Sequence, residues 1–193
     1  MLDKLLSLDT ELFIFLNGLG SETYDELWSF ITQQSNWIPL FLILLFVIFK
    51  KLGAKQTLYL LLFVAALVTF TDQMTNVFKS EFHRLRPCSN PEINSFIRVV
   101  QIRRSFSFFS GHASNSMAVA TLLYLTLRQY FTHLWLLFLW PLVFAYSRIY
   151  LGLHYPLDII SGFLFGSACG YVTFSGYRYA QQKYFPLKIK EQK

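Results

Sequence analysis

Long apolar stretches dominate this chain of 193 residues and limit what it can fold into. Five stand out, at 37–49, 57–77, 113–127, 134–151 and 157–174. A helix needs about 20 residues to cross the ~30 Å hydrocarbon layer of a membrane, so the second and the last two are long enough. The first and third reach that length only if 34–37 and 111–116 extend their helices. The pattern predicts an all-α, polytopic bundle of about five to six membrane helices.

The composition supports lipid, not water, as the surroundings of this chain. Hydrophobic residues make up 54% and charged residues only 15%, against roughly 25% charged in soluble domains. The net charge of +6 does not indicate nucleic acid, because the basic residues lie at the ends of apolar runs and not on one soluble surface. The length fits a single domain over 1–193. We expect membrane lipids as partners, with neither nucleic acid nor an obligatory protein partner.

The N-terminal segment 1–35 differs from the rest of the chain. Its stretches 2–16 and 24–31 are short and mix apolar residues with acids, which is typical of helices at a membrane surface. A sixth, irregular span is the alternative. With Asp3, Asp9 and Glu11 among them, residues 1–17 lack the features of a cleavable signal peptide and are predicted to be mature protein. Cys88 and Cys169 are assigned neither a disulfide nor a metal.

Basic residues predict how the chain is oriented, because short cytoplasmic loops are rich in lysine and arginine. Five alternating spans place one group of basic residues on a single side, which we assign to the cytoplasm: Lys50, Lys51, Lys55, Arg128, Arg178, Lys183, Lys188, Lys190 and Lys193. The opposite side receives the acidic N-terminus and the segment 78–111. That segment is also basic, with Lys79, Arg84, Arg86, Arg98, Arg103 and Arg104.

The first candidate motif, KSEFHRLRP at 79–87, follows the second span. Lys79 and Arg86 can converge on one anion if the chain between them folds back, and arginine matches phosphate oxygens with a two-pronged fork. Basic residues in a loop are, however, usually only solvated.

The second motif, FFSGHAS at 108–114, opens the third span. Ser110 and Gly111 at a helix start offer free backbone N–H groups and the positive end of the helix dipole to an anion. His112 beside them can donate a proton. The alternative is that Ser110 is an N-cap and His112 an interfacial histidine.

The third motif, SRIYLGLHYPLD at 147–158, joins the last two spans. His154 and Asp158 are four residues apart, and Pro156 marks the first turn of a helix, so the carboxylate can reach back to the imidazole. A histidine held in this way keeps a lone pair on its other nitrogen, which can attack phosphorus. An isolated HxxxD pattern can be a coincidence, but this one adjoins Arg148.

The order of the spans places all three motifs on one side of the membrane, where so many ionisable residues favour a functional role. Their internal spacing resembles the tripartite signature of the type-2 phosphatidic acid phosphatase superfamily, in its bacterial membrane branch. The signature occupies 79–158. One departure is Phe109, where the family usually has proline before the serine.

The resemblance implies a role for each motif residue. His154 is the nucleophile, Asp158 orients it, and His112 protonates the leaving group. The phosphoryl oxygens are bound by five residues, Lys79, Arg86, Ser110, Gly111 and Arg148. The resemblance implies no metal and no cofactor. Asp72 either pairs with a site cation or faces water.

The sequence therefore predicts a metal-independent membrane phosphatase that hydrolyses a lipid phosphate through a phosphohistidine. Candidate substrates are polyprenyl diphosphate, phosphatidylglycerophosphate, phosphatidic acid and a lipid A phosphate. The predicted location is a bacterial cytoplasmic membrane, with the active site facing the periplasm or cell exterior. A lipid phosphotransferase with the same site is the alternative. A third hypothesis is a transporter or binding protein without turnover. Both histidines and the aspartate argue against it, because anion binding needs cations but neither a nucleophile nor an acid.

Overall fold

The computed structural model describes residues 1–184 and residue 186, and within them every regular element is helical. The α-helices are α1 (Leu2–Gly18), α2 (Asp25–Ile31), α3 (Ile38–Phe82), α4 (Gly111–Leu127), α5 (Leu139–Tyr150) and α6 (Pro156–Tyr184). Short 3-10 helices cover Glu22–Tyr24, Gln34–Trp37, Pro87–Ser89 and Leu134–Phe138. The all-α prediction is confirmed. Lys188, Lys190 and Lys193 of the predicted cytoplasmic group lie outside the described residues.

Helix α3 is a hairpin of two arms, 38–52 and 54–82. Gly53 between them has φ 77° and ψ 167°, a conformation that glycine adopts without steric cost. Phe41 of the first arm and Val64 of the second line the same cavity, so the arms lie side by side. They correspond to the predicted stretches 37–49 and 57–77. The polar residues between those stretches belong to helical turns, with Gly53 alone reversing the chain.

Two helix bounds differ from the predicted ones. Helix α3 continues to Phe82, so Lys79 lies in its last turn and not in a loop that begins at residue 78. Helix α6 continues to Tyr184, ten residues beyond the predicted apolar stretch. Both helices continue through polar residues, whereas the predicted bounds stopped where the apolar residues end.

The outer surface of the bundle is apolar. Leu42, Phe46, Leu62, Leu142 and Leu164 are each about half exposed or more, and an apolar surface of this extent is matched by lipid. By length and composition, the helical stretches Gln34–Ser89 and Pro156–Tyr184 suffice to cross a membrane, and Leu134–Tyr150 is a shorter apolar helix. The chain forms a membrane helix bundle, whose exact number of crossings stays a prediction.

Helices α4 and α6 are in direct backbone contact along a glycine stripe. A Cβ atom at Gly162 would lie 2.8 Å from the carbonyl oxygen of Ser110, which precedes α4, and one at Gly170 would lie 2.6 Å from that of Ala118. A Cβ atom at Gly166 would clash with the carbonyl oxygen of Ser114. Small residues at every fourth position allow membrane helices to approach this closely. The contact fixes the start of α4, which carries the second motif, against the start of α6, which carries Asp158.

The N-terminal helices cover the end of the bundle where the motifs lie. The Asn17 side chain of α1 donates to the Ile149 and Tyr150 carbonyls at the end of α5. Asp9, two turns earlier, accepts from the Leu157 amide at the start of α6. Helix α1 therefore crosses the ends of α5 and α6. This placement fits helices that lie at the membrane surface.

The opposite end of the bundle brings together residues predicted to face the cytoplasm. The Lys51 ammonium lies 5.5 Å from the centroid of the Phe131 ring in the α4–α5 connection. Gln181 near the end of α6 donates to Gln56 just after the α3 turn, over 3.4 Å. The hairpin turn, the α4–α5 connection and the end of α6 thus share one end, away from the motifs.

Candidate active site

The three motifs meet around a polar cavity of about 200 Å³. Helix α3, the segment 83–110, the first turns of α4, the end of α5 and the turn before α6 all contribute to it. Six of the eight predicted site residues line this cavity, and the other two, Ser110 and Asp158, lie behind it. The six are Lys79, Arg86, Gly111, His112, Arg148 and His154.

His154 is buried and held on both ring nitrogens. Its Nδ1 lies 3.3 Å from Asp158 Oδ2, and its Nε2 lies 2.8 Å from Arg86 Nη1. A guanidinium can only donate a hydrogen bond and an ionised carboxylate can only accept one. The proton of a neutral imidazole therefore sits on Nδ1, and Nε2 carries the lone pair.

Burial holds the pKa of His154 well below its ordinary value, and the nearby cations Arg86, Arg148 and Lys79 lower it further. A lowered pKa favours the neutral ring at neutral and mildly acidic pH. The imidazole can thus act as a nucleophile without first losing a proton, once Arg86 Nη1 exchanges its contact with Nε2 for a phosphoryl oxygen.

His112 has a different environment. Its ring stacks on Phe144 with centroids 4.7 Å apart, and its Nε2 lies 3.3 Å from the Thr32 carbonyl oxygen. A carbonyl cannot donate, so Nε2 carries a proton. This leaves Nδ1 as the nitrogen available for proton transfer. Burial and the nearby Arg148 lower the pKa of His112, so its imidazolium form depends on the negative charge of an anion bound in the cavity.

Arg148 is only 2% exposed. Its Nη1 donates to the Thr32 hydroxyl, whereas its Nε is buried without a hydrogen-bond partner among the described residues. An unpaired donor on a buried guanidinium is costly unless a ligand satisfies it. The arrangement favours an anion in the cavity.

Arg86 is more completely engaged by the protein. Its Nε donates to the Ser105 carbonyl, its Nη1 to the Leu153 carbonyl and its Nη2 to the Ser105 hydroxyl, over 2.8 to 3.1 Å. Together with the contact to His154, these bonds tie the segment 83–110 to the turn before α6. Arg86 thus holds the nucleophile in place besides adding positive charge.

Asp72 is the one carboxylate among the described residues that line the cavity, and it makes no salt bridge within that part of the chain. Asp72 is exposed and accepts long hydrogen bonds of 3.5 Å from Asn76 and Asn115. Lys79 lies close to Gly111, whose added Cβ would be 3.9 Å from the ammonium. Lys79, Arg86, Arg103 and Arg148 therefore surround the cavity with a net positive charge.

Ser110 is fully buried and begins α4 as its N-cap, because its hydroxyl accepts from the Ala113 amide. Its own amide donates to the Asp158 carbonyl over 3.0 Å. Ser110 thus joins α4 to α6 behind the cavity. A contact between its hydroxyl and phosphate stays a prediction.

Residues without a role in the sequence interpretation also contribute to the site. Gln34, Arg103, Ser105 and Asn115 line the cavity, and Thr32 contacts both His112 and Arg148. Arg84 donates to Asp158 over 2.8 Å. The only signal for the arginines was the excess of positive charge in 78–111.

An apolar groove of about 310 Å³ adjoins the polar cavity. Both arms of α3, together with α4 and α5, form its walls, which include Leu61, Val64 and Trp140. Gln34 and Asn115 line both spaces. A molecule with an anionic head and an apolar tail can therefore occupy the two at once.

The described residues contain no group of three or more His, Cys, Asp or Glu side chains that could hold a metal ion. A metal-independent reaction stays a prediction that activity measurements must test.

A family model described as the PAP2 superfamily matches residues 56–182, which include all three motifs. The chain belongs to the PAP2 superfamily. The predicted family and the predicted phosphatase class are confirmed. Among relatives of this PAP2 superfamily member is a lipid A 4'-phosphatase of Bacteroides thetaiotaomicron, 35% identical over 90% of this chain and 79% of that one.

Other PAP2 relatives carry different names. An undecaprenyl-diphosphatase of Sulfolobus acidocaldarius is 29% identical over 87% of this chain and 78% of that one. In fold, the chain resembles the PAP2 type phosphatidylglycerolphosphate phosphatase of Bacillus subtilis, with a TM-score of 0.70 and 21% identity. That likeness covers 94% of this chain and 89% of the other.

Proposed function

We propose that this membrane phosphatase hydrolyses a lipid phosphate through a phosphohistidine on His154. The observation that carries the proposal is the cavity in which two differently held histidines and four cations meet, next to an apolar groove. The phosphate would occupy the cavity, and the lipid tail would lie in the groove beyond Gln34 and Asn115.

In the first step, the His154 Nε2 lone pair attacks phosphorus while the bond from phosphorus to the lipid oxygen breaks. Imidazolium His112 gives its proton to that oxygen, and Lys79, Arg86 and Arg148 stabilise the charge on the phosphoryl oxygens. Asp158 accepts the hydrogen bond from the Nδ1–H group of the imidazole throughout the reaction. Water then attacks phosphorus while the bond from phosphorus to His154 Nε2 breaks and returns its electron pair to the imidazole. His112 takes a proton from the attacking water, and inorganic phosphate leaves.

Lipid A 4'-phosphate is the first candidate substrate, because the relative of that name is 35% identical over most of both chains. The test is phosphate release by the detergent-purified protein from a lipid A phosphate, polyprenyl diphosphate, phosphatidylglycerophosphate and phosphatidic acid. A clear preference for the first supports the assignment. Preference for another of the four lipids would identify that lipid as the substrate. Release of phosphate from none of them would contradict the proposed function.

The same assay separates hydrolysis from transfer. With a dephosphorylated acceptor lipid present, a hydrolase still releases all of the phosphate as inorganic phosphate. A transferase would place it on the acceptor and release little when none is added.

We propose further that the site end of the bundle faces the periplasm or cell exterior of a bacterial cytoplasmic membrane. The support is the group of basic residues at the opposite end, including Lys51 and Arg128. In a variant without native cysteines, a cysteine at Ser95 is expected to react with an impermeant reagent on intact cells, and one at Gln129 is not. The reverse pattern would contradict this orientation and leave the chemistry unaffected.

A further inference from the structure

A partly buried ionic chain connects the N-terminal helix to the carboxylate behind His154. Arg84 Nη1 donates to Asp158 Oδ1 over 2.8 Å, and its Nη2 donates to Asp9 Oδ2 over 2.6 Å. The other oxygen of Asp9 accepts from the Leu157 amide over 2.7 Å. The Arg84 guanidinium also lies over the Tyr155 ring, 3.9 Å from its centroid. One guanidinium therefore bridges two carboxylates, one of which contacts the proposed nucleophile.

The bridge is placed to control the geometry of Asp158. This side chain is fully buried, and its Oδ2 accepts from both His154 Nδ1 and the Tyr155 amide. Its Oδ1 accepts from Arg84, and the Ser107 side chain makes a further hydrogen bond to the carboxylate. A fork that holds Oδ1 fixes the rotation of the carboxylate and with it the direction of the bond to His154. The hydrogen bond from Arg84 Nη2 to Asp9 in turn limits rotation of the Arg84 guanidinium.

We infer that Asp9 and Arg84 are positioning residues, through which helix α1 keeps Asp158 aligned with the nucleophile His154. This inference rests on the proposed function. It adds to the site Asp9, which lies outside the three motifs, and Arg84, which lies within the first motif but has no role in the sequence interpretation. Asp9 lies outside the range 56–182 that the family model matches. The N-terminal helix is thus part of the catalytic apparatus as well as a cover for the bundle.

The chain offers a matched control for this pair. Arg98 and Asp25 also link an N-terminal helix to the segment 83–110, over 3.0 Å, but neither residue contacts a motif histidine or Asp158 in the described contacts. If the Asp9–Arg84 pair only anchored the N-terminal helices, Asp25→Asn would have the same effects as Asp9→Asn.

The experiment compares Asp9→Asn, Arg84→Lys and Asp25→Asn with the unchanged protein in detergent, using a nitrophenyl phosphate as substrate. For Asp9→Asn and Arg84→Lys, we expect kcat to fall ~10–100-fold, the range found for partners that orient metal-binding histidines. KM should change little, because the cations that bind phosphate are intact. Asp25→Asn should keep kcat within about twofold.

Two inhibitors add a measurement that loss of folding cannot imitate. Inhibition by inorganic phosphate reports on anion binding in the cationic cavity. Vanadate adopts the five-coordinate geometry of phosphoryl transfer, so its inhibition reports also on the alignment of His154. Asp9→Asn and Arg84→Lys should weaken inhibition by vanadate and leave inhibition by phosphate unchanged. The double variant should lose little more than Arg84→Lys alone, because both changes break one chain of contacts.

Equal kcat for Asp9→Asn and Asp25→Asn, or parallel loss of vanadate and phosphate binding, would overturn the inference. Thermal unfolding of each variant identifies any that no longer folds. If Asp9→Asn does not fold, the kinetics and inhibition of Arg84→Lys decide whether the inference holds. His154→Ala in the same series tests the proposed function separately. If that variant is inactive while Asp9→Asn and Arg84→Lys behave as the control, only the positioning role is lost.

Discussion

The polar cavity and the apolar groove are neighbours that are built in opposite ways. In the cavity, named hydrogen bonds fix each functional side chain, as Arg86 and Asp158 fix His154. In the groove, apolar side chains of four helical segments supply area without directed contacts. Among the described residues, only Gln34 and Asn115 line both. The difference implies that changes in the cavity affect turnover of every substrate, whereas changes in the groove affect only substrates with a tail.

His154→Ala is expected to have the largest effect, because no phosphohistidine can form without the nucleophile. Turnover of a lipid phosphate and of nitrophenyl phosphate should both fall to background. His133→Ala is the matched control, since His133 is exposed at the opposite end of the bundle. Residual turnover by the His154 variant above background would remove this residue from the mechanism.

His112→Ala should distinguish the two substrates. General acid catalysis contributes ~10²–10⁴-fold when the leaving group is an alkoxide, but an activated aryl oxide departs without a proton. We expect a loss of that size on the lipid and a much smaller loss on nitrophenyl phosphate, with phosphohistidine accumulating in acid-quenched samples. Equal losses without a trapped intermediate would mean that His112 mainly binds phosphate.

Arg148→Lys keeps the positive charge but removes the two-pronged guanidinium group. It therefore tests whether turnover needs the paired hydrogen bonds of arginine or only its charge. We expect kcat/KM to fall about 10²-fold on both substrates, comparable to the loss of one transition-state donor. Arg104→Lys, in an exposed residue that does not line the cavity, should have no effect. Normal turnover by the Arg148 variant would place this side chain outside the phosphate contacts.

A change in the groove should produce a smaller effect that is confined to lipid substrates. Leu61 lines the groove and is 43% exposed, whereas its neighbour Leu62 is 57% exposed and does not line it. Leu61→Trp displaces roughly 50 Å² of tail contact, which at about 25 cal/mol per Å² raises KM about tenfold. Leu62→Trp should leave KM unchanged. An equal response from both variants would place the tail elsewhere.

Chelation is expected to have no effect on either substrate, because the proposed chemistry uses only side chains. The measurement is phosphate release before and after treatment with EDTA, in buffer free of divalent ions. Activity that disappears and returns with a divalent ion would contradict the metal-independent mechanism.

The sequence was most informative where the chemistry depends on local spacing. Asp158 is the third residue of α6, a position from which a carboxylate reaches back to the amide of the residue before the helix. Its contact with His154 therefore follows once Pro156 fixes the helix start. Arg103 and Ser105 could not be placed in this way, because the irregular path of 83–110 determines where they lie. The Asp9–Arg84 bridge joins residues 75 positions apart, and no periodic pattern encodes such a contact.

The hairpin in α3 shows the same limit within a regular element. The apolar stretches predicted both arms but not their joining point, because the basic residues Lys50, Lys51 and Lys55 were assigned to a cytoplasmic loop. Gly53 alone carries the positive φ that reverses the chain.

The glycine stripe of α6 has a consequence for how such a protein can change its substrate. Because Gly162, Gly166 and Gly170 set the distance between α4 and α6 by backbone contact, that distance does not depend on the side chains of α3 that face the groove. Tail-contacting residues such as Leu61 can therefore be exchanged without shifting the second motif relative to Asp158. Chain length and branching of the accepted lipid are thus open to redesign, one α3 side chain at a time, on an unchanged catalytic framework.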